Sequence, residues 1–316
     1  MNHDALSHRY LRHQHGLTMV ELMVAITIGL ILTAGIIQIF VNSKQTYRVE
    51  EALSRVQESG RLGLGFMAND IRMAGFWGCQ PTADNVRNNL NAGTGYIDFT
   101  AGAVSGTEGG SGVPDSITLR GADGSSGITP LPNGGSGKYS PLPSASLAVN
   151  SPNNLNPDEI LLISDCVGGD IFQITNSNPG GTGTVDHNTG TGSPGNASNL
   201  SKVYKGDAFL YTVREISYTI AAGADGQPAL WRSVNGSNQE IVDDVSDLQI
   251  LYGEDMDNDR SVDRYVNASN VADFRNVYSV QVQLTIQTGD ANTAVNAGGR
   301  VSHDFSTTVA IRNKVL

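Results

Sequence analysis

Charge, cysteine and histidine are all scarce in this chain, and each shortage removes a class of function. Only 16% of the residues are charged, and the balance is acidic, at a net charge of −11. Direct binding of nucleic acid needs a basic footprint, so no nucleic-acid partner is expected. The acidic surface is read as one that keeps the protein from aggregating. The two cysteines, Cys79 and Cys166, form no C-x-x-C pair and hence no redox or zinc motif. Of the six histidines, four (His3, His8, His13, His15) fall in the first 16 residues. His187 and His303 alone are too few for a histidine-rich metal site.

Recognisable catalytic patterns are lacking too. There is no G-x-S-x-G elbow and no H-E-x-x-H. Gly135-Ser136-Gly137-Lys138 imitates part of a phosphate loop. However, Pro132 stands where that motif begins with glycine, and Tyr139 replaces the Ser or Thr that binds Mg²⁺. The pair Asp243-Asp244 reads as a charged turn. No enzymatic activity is expected and no cofactor is required.

What the chain does have is length and an unusual N-terminus. Its 316 residues allow a sizeable core. The 37 glycines, with many Ser, Thr and Asn, indicate a β-rich body with long loops. Residues 1–16 are polar and mildly basic. From Leu17 to Val41 the chain is an apolar run of 25 residues with one charge, Glu21. As a helix this run spans about 37 Å, against a bilayer core of about 30 Å. A secretory signal is cleaved after its apolar segment, but here that segment follows the leader and no A-x-A-like site comes after it. A carboxylate inside an apolar span is costly and usually has a partner. Cleavage after Gly16 creates an α-amino group at Leu17, four residues before Glu21. In a bundle of such helices, the amine of one subunit can pair with Glu21 of another. The plainer alternative is a signal anchor whose glutamate reaches the membrane interface.

Beyond the apolar run, Val49, Leu53, Val56, Gly60, Leu64, Met67, Ile71 and Ala74 recur at three- and four-residue steps, one stripe at helical period. Residues 17–74 as one helix would be about 87 Å long. Gly60, Gly63 and Gly65 lower helix propensity, so a bend or loosening is expected there. Gly/Ser/Asn/Pro-rich stretches at 91–157 and 176–199 read as long surface loops or partly mobile insertions. Strands are expected at 116–120, 159–165, 170–175, 208–221, 229–234, 240–252, 277–288 and 305–312. Alternation is plain in Ile216, Tyr218, Ile220 and in Val280, Val282, Leu284, Ile286. Asp225-Gly226 signals a hairpin between two of them. One helix followed by many strands gives an α+β fold, an antiparallel sheet laid on the helix.

Residues 254–265 read EDMDNDRSVDRY. Asp255, Asp257, Asp259 and Asp263 take positions 1, 3, 5 and 9 of an EF-hand-like loop, with the Ser261 carbonyl at position 7. Alternate oxygen ligands on a tight loop suit a hard cation, here Ca²⁺. Arg260 replaces the glycine of position 6, and Val266 the glutamate of position 12; Glu254 is a substitute for the latter. The bland alternative is a solvated acidic turn.

Gly16-Leu17-Thr18-Met19-Val20-Glu21-Leu22 resembles the prepilin-peptidase motif of type IV pilins and pseudopilins, with Leu17 in place of the usual Phe. That resemblance implies cleavage between Gly16 and Leu17, N-methylation of Leu17, and the type IV pilin fold. Further pieces are similar to PilW-type minor pilins. These are Asp70-Ile71-Arg72-Met73-Ala74-Gly75-Phe76-Trp77-Gly78-Cys79, Asp165-Cys166 followed by Asp170-Ile171-Phe172-Gln173, Val245 to Gly253, and Thr307 to Asn313. The implied organisation is a leader (1–16), a transmembrane and assembly helix (17–41), its amphipathic continuation (42–76) and a β-rich head (77–316).

The resemblance implies a structural minor pilin, held in the bacterial inner membrane with its head in the periplasm and then carried to the surface in the pilus. Its implied partners are prepilin peptidase, the inner-membrane assembly platform, other minor pilins, the major pilin and a tip adhesin. Within a tip complex it would prime assembly. The alternatives are a minor pseudopilin of a type II secretion system and a pilus-displayed adhesin or receptor. In an oxidising compartment Cys79 and Cys166 are expected to bond, closing a loop of 88 residues. Chain entropy assigns such a loop about 4–5 kcal/mol. Two separate buried thiols are the alternative.

Overall fold

The computed structural model describes residues 16–80, 83–132, 139, 142–289 and 299–315. Leader residues 1–15 and the Gly135–Lys138 segment lie outside the described residues. The chain divides after Ala52 into two units.

The first unit is the apolar part of helix α1 (Met19–Met73). The side chains from Leu17 to Val41 are exposed, so this apolar span is nowhere buried within the protein. Such a surface is stable only in a nonpolar medium or against like helices. Its hydroxyls suit that setting. Thr27 donates to the Met23 and Val24 carbonyls, and Thr33 to the Gly29 carbonyl, so both hydroxyls are satisfied within the helix.

The second unit, from Leu53 onward, packs the rest of α1 on the strands. Helical assignment is unbroken through the three glycines, so the expected loosening is not seen. Gly60 and Gly63 are instead points of close approach. A Cβ on Gly60 would lie 2.5 Å from the Phe305 ring, and one on Gly63 would lie 3.0 Å from Leu284 Cδ1. The predicted stripe is the inner face: Val56, Gly60, Met67, Ile71 and Ala74 are buried. The helix stops where Gly75 turns to φ +74° and its amide donates to the Arg120 carbonyl at 2.8 Å.

The strands are β1 (Val86–Asn88), β2 (Val104–Thr107), β3 (Ser116–Ala122), β4 (Leu147–Ala148), β5 (Ile160–Ser164), β6 (Gly169–Gln173), β7 (Thr184–Val185), β8 (Phe209–Ala222), β9 (Pro228–Val234), β10 (Ser237–Val242), β11 (Val245–Glu254), β12 (Arg264–Val266), β13 (Val277–Gln287) and β14 (Ser302–Ala310). Among the described residues they form not one sheet but three. The largest runs β1-β6-β5-β8-β3-β2, with β9 and β10 added alongside β8; a second runs β12-β11-β13-β14; β4 and β7 make a small pair. All pairings are antiparallel except β1 with β6. Strand β8 is the hub, because its first residues pair with β5, its middle with β3 and its last half with β9. The β8–β9 hairpin turns at Asp225-Gly226 as expected, with Gly226 at φ +82°. The single strand expected over 240–252 is two, because Asp244 takes φ +58° and breaks it.

The main core joins the inner face of α1 to Ile117, Leu119, Tyr218 and Leu230 of the large sheet and to Leu248, Ile250, Val280, Val282 and Leu284 of the second. Burying each such side chain is worth about 1.5–3 kcal/mol. Strand β5 is buried on both faces: Leu161 and Ile163 face one smaller core, and Leu162 faces another with Trp77 and Phe99. The Gly-rich stretch 176–199 is tied down rather than loose. Asn196, fully buried, donates from Nδ2 to the Gln173 carbonyl at 2.8 Å and accepts from the Gln173 amide at 2.7 Å.

Candidate functional site

The features singled out in the sequence occupy three places. At the start of the anchor, Gly16 and Leu17 are exposed and precede the helix. Thr18 caps it. Its Oγ1 accepts from the Glu21 amide at 3.3 Å, and its carbonyl accepts the first helical bond from the Leu22 amide. Thr18-x-x-Glu21 thus has the spacing of a capping box, a signal that sequence reading for the cleavage motif passed over. Glu21 sits in the first turn, where the helix dipole favours a negative charge. It is exposed, four residues from Leu17.

The second place is the junction of α1 with the large sheet. Asp70 Oδ2 accepts from the Tyr218 hydroxyl at 2.6 Å and from Arg232 Nε at 2.7 Å. Burial opposes the charge on Arg232, but the hydrogen bond and charge of Asp70 outweigh it and raise the guanidinium pKa. Burial, then the Asp70 charge, pushes the Tyr218 phenol up. On the sheet's other region, buried Asp170 accepts from Asn89 Nδ2 (2.8 Å), the Ser201 amide (2.8 Å), Ser201 Oγ (2.6 Å) and the Tyr204 hydroxyl (2.8 Å). Its lone pairs are spent holding loops to the sheet. Cys79, just past the helix, and Cys166, in the turn between β5 and β6, are exposed free thiols, and Cys166 adds to the rise in the Cys79 pKa that burial begins. The expected alternative of two separate buried thiols does not describe them.

The third place is the acidic loop between β11 and β12. Carboxylate oxygens of Asp255, Asp257 and Asp263 lie within 4.8 Å of one another. Asp255 is buried and accepts amides of Asp257, Asn258 and Arg260. Desolvation opposes its charge, but these amides prevail and lower its pKa. Asp257 behaves oppositely. Its bond from the Asp259 amide lowers the pKa, but desolvation and the charges of Asp259, Asp263 and Asp255 together raise it. Arg260 takes φ +69°, the left-handed conformation for which the EF-hand uses glycine. Asp259 Oδ1 instead accepts the Ser261 amide at 2.7 Å, and Asp259 is not in the cluster. Glu254 is outside that cluster, and its oxygens accept from Arg264 and from the amides of Ala272 and Asp273.

Residues 11–37 match the family model described as Prokaryotic N-terminal methylation motif, and residues 217–297 match the one described as Type IV Pilus-assembly protein W. No curated protein and no solved structure matches the chain. The first match contains Gly16, Leu17 and Glu21. The second contains Tyr218 and Arg232, which hold Asp70, and the whole acidic loop. With the methylation motif on its apolar helix and a PilW match in its β-rich body, the chain is similar to type IV pilins at both ends of its architecture.

Proposed function

We propose that this protein is a minor pilin of the type IV pilus. In this reading prepilin peptidase cuts between Gly16 and Leu17 and Leu17 is N-methylated. The anchor then holds the protein in the inner membrane with its body in the periplasm until assembly. One coincidence carries the reading. The methylation motif ends in a wholly exposed apolar helix with a single charge, and that same chain bears the PilW segment. An exposed apolar helix with one carboxylate needs a neighbour that offers apolar surface and a cation. The Leu17 amine of an adjacent subunit offers both. The body adds a second apolar surface, since α1 leaves Leu62, Phe66 and Met73 exposed on the face away from the core. The partners are then the major pilin, other minor pilins and a tip adhesin, and the role is structural, priming assembly near the tip.

Deleting the gene and assaying surface pili and type II secretion in the same cells tests this. Loss of pili with normal secretion is the expected result, restored by the wild-type gene and not by Glu21→Ala. Normal pili with failed secretion would move the protein to the pseudopilins. Intact mass of the recovered protein should show loss of residues 1–16 and gain of one methyl group.

A further inference from the structure

We propose that Cys79 and Cys166 are joined by a disulfide that fastens the exit of helix α1 to the turn between β5 and β6. It goes beyond the pilin reading and rests on it only for the oxidising surroundings of the body.

Both cysteines are held in place by noncovalent bonds. After Gly75, the Ala122 amide donates to the Phe76 carbonyl at 2.8 Å, and Trp77 is buried edge-on to Phe99 at 5.4 Å. Ser164 Oγ donates to the Trp77 carbonyl at 3.3 Å, and Gln80 Nε2 to the Asp165 carbonyl at 2.7 Å. Between them Gly78, at φ +71°, comes so close that a Cβ would stand 3.0 Å from Ser164 Cβ. Residues 77–80 therefore run against 164–165, with Cys79 and Cys166 in matching places. The partner turn is equally fixed. Asp165 Oδ1 accepts the Val167 amide at 2.9 Å, the Gly168 amide at 3.0 Å and Lys202 Nζ at 2.6 Å. Gly78 and Gln80, on either side of Cys79, both touch the segment that leads into Cys166, and both thiols reach solvent, so an oxidant has access.

The oxidant is a disulfide, RSSR, of a thiol–disulfide oxidoreductase or of oxidised glutathione. The Cys166 thiolate attacks one sulfur of RSSR; that S–S bond breaks and RS⁻ leaves. Cys79 then loses its proton and attacks the Cys166 sulfur of the mixed disulfide, expelling the second RS⁻. The two thiols are oxidised by two electrons and RSSR becomes two RSH. The order follows from Cys79 itself, whose thiol is pushed up to about 11 by partial burial and then by Cys166. The bond closes the 88 residues from Cys79 through Cys166, with β1 to β5 inside.

The test uses the full-length protein, extracted in detergent from cells with N-ethylmaleimide present and denatured without reductant. Neither cysteine should carry the label, a linked peptide should appear, and both should label after reduction. Any single proteolytic cut between the cysteines should leave one band without reductant and two with it. In a second arm, reduced protein in a glutathione redox buffer should form the same link. Both cysteines labelled in the extract would overturn the proposal. If the link then formed in the glutathione arm, the fault would lie with the compartment and so with the periplasmic placement. Stable glutathione adducts on either cysteine in that arm would place the fault in the geometry.

Discussion

Asp70 accepts a 2.7 Å hydrogen bond from Nε of Arg232, so a carboxylate near the end of α1 is bound to strand β9, 162 residues along the chain. The Tyr218 hydroxyl shares the same oxygen. Asp70→Ala leaves a mostly buried guanidinium and a buried phenol without their acceptor, a loss of about 2–4 kcal/mol. Tyr218→Phe removes one neutral donor, about 1 kcal/mol. Urea denaturation of both variants in detergent checks the ranking. Equal losses would mean that Arg232 finds another acceptor and that the carboxylate is not the clamp.

Gly60 and Gly65 lie five residues apart on the same helix with opposite surroundings. A Cβ on Gly60 meets the Phe305 ring, whereas nothing lies within 4 Å of one on Gly65. Gly60→Ala is expected to destabilise the body by about 1–3 kcal/mol through overpacking. Gly65→Ala should stabilise the isolated chain by about 0.5–1 kcal/mol through helix propensity. The two melting temperatures should therefore move in opposite directions.

Acid should weaken the body through Glu254. Burial opposes its charge, but Arg264 and the amides of Asp273 and Ala272 outweigh burial and lower its pKa. For an acid held below its unfolded value, of about 4.3, the stabilisation is present above that value. It is lost as pH falls through the lower, folded one. The melting temperature of the wild type should drop on acidification below about pH 4. Glu254→Gln should start lower at neutral pH and fall less steeply over the same interval.

The acidic loop yields a prediction with a change of sign. Because the Asp257 carboxyl is raised among its neighbours' charges, its ionised form opposes folding at neutral pH. Without calcium, Asp257→Asn should raise the melting temperature slightly. If the loop takes calcium through Asp255, Asp257 and Asp263, millimolar calcium should stabilise the wild type and leave the variant unmoved. Titration calorimetry silent for the wild type would leave a solvated acidic turn.

Much of the architecture was legible because it repeats locally. Val280, Val282, Leu284 and Ile286 alternate along one strand, and all four are buried in β13. The helical stripe of α1 and the Asp225-Gly226 hairpin were found by the same logic of period and turn chemistry. Strands β1, β2, β4, β7 and β12 were missed, since two to four residues carry no period. At Asp243-Asp244 the sequence carried two readings, a charged turn and a strand running through 240–252, and the structure takes the turn.

The anchor was determined by the sequence alone. An apolar run of that length, with one carboxylate set behind Gly16, has its chemistry within a few residues and needs no fold to be read. Only the tertiary structure decided the rest: that Gly60 makes room for Phe305, that Asp70 holds Tyr218 and Arg232, that Glu254 is spent on Arg264, and that the segment of Cys79 runs against that of Cys166. Three of these four pairings cross more than 80 residues, and the fourth depends on how one loop closes. Composition and period are properties of a segment, whereas such contacts exist only once the sheets have brought distant segments to the same place.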